Sequence, residues 1–170
     1  MTNSMDQTSQ GNRDGLAALM RLAIDVAKQG IEQGQSPFGA VLADSDGRIV
    51  AIEHNQVRQT HDSTAHAEIA AIRAACRKLG TPNLTGHVIA TTCEPCPMCA
   101  AAIHWARLDK VIYGASIADA KQAHFNELSV STEALLRDGQ SLVQIIPFVL
   151  REQCRALFEL WKAGPNPVPY

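Results

Sequence analysis

No run of apolar residues in this chain approaches the ~20 that a helical membrane span requires, so a membrane-spanning helix is excluded. The N-terminus, MTNSMDQTSQGNRDG, lacks the apolar stretch of a secretory signal. Basic excess is missing as well: 15 Lys and Arg stand against 17 Asp and Glu, a net charge of −2. The positive field that structured RNA or duplex DNA draws on is therefore absent, which argues against a nucleic-acid partner. Cysteine is sparse and odd in number, five in 170 residues. With no export signal these read as thiols or metal ligands of a cytoplasmic protein rather than as a disulfide framework.

What is present suits one soluble domain. A chain of 170 residues buries about 70% of its extended surface on folding, and the hydrophobic (46%) and charged (19%) fractions are those of a globular protein. The polar residues 1–12 read as a tail and 13–163 as the domain. Residues 164–170, GPNPVPY, hold three prolines and read as an extended C-terminal tail.

Between the tails, Asp14 is placed to cap a helix whose apolar positions Leu16, Leu19, Met20, Ala23, Val26 and Ala27 recur at helical spacing, with Gly30 and Gly34 at its end. FGAVLAD and RIVAIEH, separated by Ser45, Asp46 and Gly47, predict an antiparallel hairpin followed by a loop from Asn55 to Ser63. AHAEIAAIRAACRKLG predicts a helix capped by Ser63 or Thr64. HVIATT then reads as a strand, CAAAIHWAR as a helix, KVIYGAS as a strand and Leu150 to Lys162 as a last helix. Strand and helix alternating from residue 65 onward imply parallel crossovers, hence an α/β fold: a three-layer α/β/α sandwich whose mixed sheet starts with the hairpin.

The chemistry-bearing residues cluster at two of these helix starts. His66-Ala67-Glu68 is followed, 26 residues later, by Pro95-Cys96-Pro97-Met98-Cys99. Cys96 and Cys99 share one face of a first turn opened by proline, where the helix dipole favours thiolate. One His and two Cys suit Zn2+ and leave a fourth position for water, whose pKa zinc lowers to about 7. Glu68 is then the natural proton shuttle. Because residues two apart do not face each other in mid-helix, His66 and Glu68 must both lie in a first turn to serve one metal. A second arrangement stays open: with Cys93 added, His66, Cys96 and Cys99 complete a closed Cys3His site that is purely structural. Cys76 and Cys154 fall inside helices and read as core.

H-x-E followed by P-C-x-x-C resembles the signature of the zinc deaminases. Together with PFGAVLADSDG, Asn55 and TTCEPCPMCAAAIHWAR, it makes nearly the whole chain similar to the cytidine deaminase superfamily, and most of all to its small bacterial guanine deaminases. The resemblance implies a five-stranded mixed sheet, zinc on His66, Cys96 and Cys99, and Glu68 as general acid and base. It implies hydrolysis of guanine to xanthine and ammonia, with Phe38, Asn55, the Ala67 amide, Trp105, Glu127 and the terminal Tyr170 meeting the purine. Glu127 follows Phe125 and Asn126, and a carboxylate is the right acceptor for the N1–H and 2-amino edge of guanine. The resemblance further implies a homodimer in which the C-terminal segment crosses to the partner as an active-site lid. Guanosine, aminotriazines, cytosine and the adenosine of a tRNA anticodon stay open as substrates of the same fold.

Overall fold

Residues 4–165 and 167–169 are described by the computed structural model, with side chains from residue 14 onward. The hairpin pairs β1 (Gly39–Ala43) with β2 (Ile49–His54), antiparallel, Gly39 opposite His54. Its turn is organised by Asp44, whose Oδ1 accepts the N–H groups of Asp46 and Arg48, both at 2.9 Å, while Gly47 supplies a left-handed φ of 78°. β3 (Val88–Cys93) pairs antiparallel with the other edge of β1, and β4 (Lys110–Ala115) runs parallel to β3. A three-residue strand, β5 (Gln144–Ile146), closes a sheet of order β2-β1-β3-β4-β5. The mixed five-stranded sheet is the one the resemblance implied.

Helices cover both faces. α1 (Ser4–Glu32) packs across β1, β2 and β3 and meets α7 (Arg151–Lys162), which lies on β4. Two glycines permit this approach: a Cβ on Gly39 would strike the carbonyl of Ala23 in α1, and one on Gly114 would strike the Cys154 side chain in α7. On the other face α3 (Ala67–Leu79) packs on β1 and β2 and against α4 (Pro97–Trp105). Three short helices join these elements: α2 (Val57–Thr60), α5 (Ile117–Gln122) and α6 (Thr132–Asp138). The core is aliphatic, with Met20, Leu42, Ile89, Ile103, Val111 and Ile112 fully buried, each contributing roughly 1.5–3 kcal/mol.

Several sequence expectations are corrected. α1 begins at Ser4, so Asp14 is interior to the helix and not its cap, and residues 4–12 are helical where a tail was expected. Extending a formed helix requires no new nucleation, so the segment continues it although Thr8, Ser9, Gly11 and Asn12 are weak helix formers. Neither Ser63 nor Thr64 caps α3. Thr64 instead donates its N–H and hydroxyl to Asp62 Oδ1, at 2.8 and 2.6 Å, and His66 occupies the N-cap position. The stretch from Asn55 to Ser63, read as loop, contains α2.

Candidate active site

The strand register gathers the site at one end of the sheet. Gly39 lies opposite His54, and Ala40 lies opposite Thr91. The residue entering β1 (Phe38), the one leaving β2 (Asn55) and the last of β3 (Cys93) therefore emerge side by side. This is also the carboxyl end of the parallel pair β3 and β4, the usual location of a crevice in α/β sheets. Phe38, Asn55, His66, Glu68, Cys93, Glu94, Cys96 and Glu127 line a small cavity of about 20 Å³. That is room for about one water, well below the roughly 300–1,000 Å³ of drug-sized sites. Larger clefts exist elsewhere, but among the described residues only this one brings metal-ligating side chains together.

Two helix starts face each other across the cavity. His66 is the N-cap of α3 and Cys96 the N-cap of α4, both with extended backbone, and Pro97 opens α4 at its first position. The His66 side chain makes no capping bond to α3 and turns instead towards α4. His66 Nδ1 lies 3.6 Å from Cys96 Sγ and 3.6 Å from Cys99 Sγ. Zinc–sulfur and zinc–nitrogen bonds of ~2.3 and ~2.05 Å at the tetrahedral angle set those edges at about 3.6 Å, so the three residues fit Zn2+ without rearrangement. Cys93 does not join them: its thiol lies 3.5 Å from the Ser116 carbonyl, and the ligand group among the described residues is His66, Cys96 and Cys99. Three ligands leave the fourth position open.

The electrostatics suit metal capture. A hydrogen bond from Cys99 and another with His66 bring the Cys96 thiol down to about 4, against the opposing effect of burial. Cys99, bonded to that thiolate and buried, is pushed well above the ordinary thiol range. Burial would lower His66, but the Cys96 thiolate and the Glu68 carboxylate outweigh it and raise the imidazole. Such a cluster exchanges its protons for a cation. Glu68 stands at the second position of α3, 6% exposed, where burial raises its carboxyl. Thr91 on β3, fully buried, donates its hydroxyl to Glu68 Oε1 at 3.2 Å. Glu127 is also raised, by burial first and then by the Cys96 charge.

The remaining sequence candidates divide. Asn55 is fully buried in the cavity wall, and its Oδ1 accepts the Val57 N–H at 3.2 Å, so it is at once a turn residue and a cavity residue. Ala67 is the first residue of α3, where an amide has no partner within the helix. Phe38 packs edge-on against Phe125, 4.9 Å between centroids. Trp105 is not brought to the cavity: it ends α4, 76% exposed, and nine residues of helical rise put it about 13 Å along the axis from Cys96. Tyr170 lies outside the described residues. Sequence reasoning missed Thr91 and Glu94, whose partners lie 23 or more positions away and leave no local pattern.

The family model for the cytidine and deoxycytidylate deaminase zinc-binding region matches residues 14–115. The chain belongs to this family of zinc deaminases. Guanine deaminase of Bacillus subtilis is 38% identical to it over 154 residues, covering 89% of this chain and 96% of that protein. A tRNA-specific adenosine deaminase of Agrobacterium fabrum is 49% identical over 96 residues, 56% of this chain and 62% of that one. Among solved structures, the guanine deaminase of Nitrosomonas europaea superimposes with a TM-score of 0.80 at 25% identity, covering 86% of this chain and 84% of that one. In sequence the similarity to the Agrobacterium fabrum enzyme is thus the more local one, whereas the Bacillus subtilis guanine deaminase matches along nearly the whole chain.

Proposed function

We propose that the deaminase converts guanine and water to xanthine and ammonia. The observation that carries this reading is Glu127 on the same cavity wall as Asn55, Glu68 and the metal ligands. A carboxylate there accepts from the N1–H and 2-amino donors of guanine, whereas adenine has no N1 donor to offer it. Similarity to a guanine deaminase over 96% of that protein's length supports the same substrate.

Zinc on His66, Cys96 and Cys99 supplies Lewis acidity that makes water nucleophilic at neutral pH. The protein's own groups do the rest. Asn55, its carbonyl held by the Val57 N–H, meets the purine from the cavity wall, and the Ala67 N–H assists. Glu68 takes the first proton as water adds to C2 and passes it to N3, then takes the second from the hydroxyl now on C2 and delivers it to the departing amine, so that xanthine keeps the N3–H and ammonia leaves. A carboxyl raised by burial holds a proton between those steps better than an exposed one. Phe38, packed edge-on against Phe125, gives the cavity its aromatic wall.

Several observations bear on partners. The described part of the C-terminal segment, residues 167–169, has no regular secondary structure and Val168 is 53% exposed, while Trp105 projects from α4 beyond reach of its own cavity. Both are explained by a homodimer in which each copy's C-terminal segment covers the other's site. A tRNA substrate is disfavoured by the pairing of all three cations of α7: Arg151 and Arg155 engage Asp119, and Lys162 engages Glu159. No described helix is long and apolar enough to cross a membrane.

The test is ammonia release by zinc-loaded protein from guanine, guanosine, adenine, cytosine, an aminotriazine and a tRNA anticodon stem-loop. Release from guanine, abolished in Glu68→Ala protein that still holds one zinc, is the expected result. Turnover retained in that variant would sink the assignment, and release from another member alone would replace the substrate.

A further inference from the structure

Glu94 lies in the cavity wall, 8% exposed, and takes no part in the zinc or proton chemistry. Its carboxylate is nonetheless fully engaged. Oε2 accepts the backbone N–H of Ile117 at 3.1 Å and Oε1 that of Thr132 at 2.9 Å. Ile117 opens α5 and Thr132 opens α6, so one side chain joins the two ends of the segment that carries Phe125 and Glu127. Its neighbours bind the same two ends. The Glu94 N–H donates to the Ala115 carbonyl at 2.8 Å, the Cys93 thiol to the Ser116 carbonyl at 3.5 Å, and the Thr132 hydroxyl to the Pro95 carbonyl at 2.7 Å. Midway along the segment, Phe125 is held against Phe38 and, 4.8 Å between centroids, against Trp161. Glu127 follows two residues later, its N–H on the Phe125 carbonyl at 3.0 Å.

We propose that Glu94 is a positioning residue for substrate recognition: by clamping Ile117 to Thr132 beside the zinc-ligand turn, it fixes where Glu127 stands over the bound purine. The inference rests on the reading of Glu127 as the purine contact. Glu94 sits two residues before Cys96, so the strand-to-helix turn that delivers a metal ligand also sets the recognition loop. Charge-assisted hydrogen bonds to backbone amides are strong and directional, and here they replace the entropy cost of closing an otherwise exposed segment. An interaction of this kind is the same in the ground and transition states. Its loss therefore appears in KM and leaves kcat nearly alone.

Glu94→Gln keeps the shape and one acceptor but turns an NH2 group towards one of the two amides. In zinc-loaded protein we expect one zinc retained, kcat for guanine nearly unchanged and KM raised roughly tenfold, the worth of a hydrogen bond to a charged group. Hydrogen exchange without substrate is expected to quicken across residues 123–131 and to stay as in the wild type across α3. An unchanged KM, a loss confined to kcat, or unaltered exchange in that segment overturns the proposal. If Glu94→Gln protein loses zinc, Ile117→Pro removes one donor without touching the zinc turn. Proline is accepted at a first helical position, and Ser116, at φ −93° and ψ 165°, has the backbone that precedes proline. The same rise in KM is expected there, and its absence refutes the clamp. Wild-type protein inactive on guanine would instead refute the substrate reading, while the exchange measurement would still judge Glu94.

Discussion

Thr91→Val isolates the hydroxyl that touches the proton shuttle. The substitution keeps the shape of a fully buried β3 side chain and removes only its bond to Glu68 Oε1. At 3.2 Å that bond is long for an O–H donor, so its worth lies at the lower end for a charged acceptor, about 1.5 kcal/mol. It acts on the ionised form of Glu68. Burial raises the Glu68 carboxyl and the Thr91 hydroxyl opposes that rise. Without the hydroxyl the carboxyl moves up further. The acidic limb of kcat against pH is then expected to shift upward, since Glu68 must be ionised to accept the water proton. The stability gap between the proteins follows the same sign: it is present where Glu68 is ionised and vanishes as pH falls below its folded value. The assay is guanine turnover across pH with zinc content measured in parallel, and Thr91→Ser is expected to restore the wild-type limb. An acidic limb that stays in place, or moves down, would refute the argument that Thr91 tunes the shuttle.

Cys93→Ala is expected to keep one zinc per chain, while Cys96→Ala loses it; metal analysis showing zinc lost from the first variant would restore the structural Cys3His reading. Asp119→Asn is expected to lower stability at pH 7 by about 2 kcal/mol, because the carboxylate completes the capping box of α5 with Ser116 and accepts from Arg151 and Arg155. Burial works to raise the Asp119 carboxyl, but the Ser116 and Arg151 hydrogen bonds hold it below the usual carboxylate value. That stability is therefore present above the ordinary Asp range and lost as pH falls through the lower folded value, so urea titrations of the two proteins should converge in acid. Deleting residues 165–170 is expected to cut turnover severely and leave the melting temperature nearly unchanged, since Pro167 and Val168 are exposed; equal activity in the truncated protein would reject the lid.

The site was legible in the sequence to the extent that its geometry is local. Cys96 and Cys99 fall in one helical turn whatever the tertiary structure does, and the requirement that His66 and Glu68 share a first turn is met at α3. The hairpin and the β3-α4-β4 crossover announced themselves by periodicity and turn residues. Residues 116–146 were less legible because their elements are short. Ser116 and Asp119 carry the S-x-x-D pattern of a capping box, which could have revealed α5, whereas the three residues of β5 have no alternation to read. Thr91 and Glu94 were invisible for another reason. Nothing near Glu94 in the sequence distinguishes it from a solvated charge between a strand and a helix. Its role is conferred by Ile117 and Thr132, 23 and 38 positions downstream, which reach it only after β4 has paired with β3. The two cysteines are thus placed by one turn of backbone, His66, 30 positions before Cys96, joins them through the β1–β3 pairing, and the recognition loop is placed only once β4 has paired with β3. Variants that disturb the β3–β4 pairing should accordingly impair discrimination among purines before they release zinc.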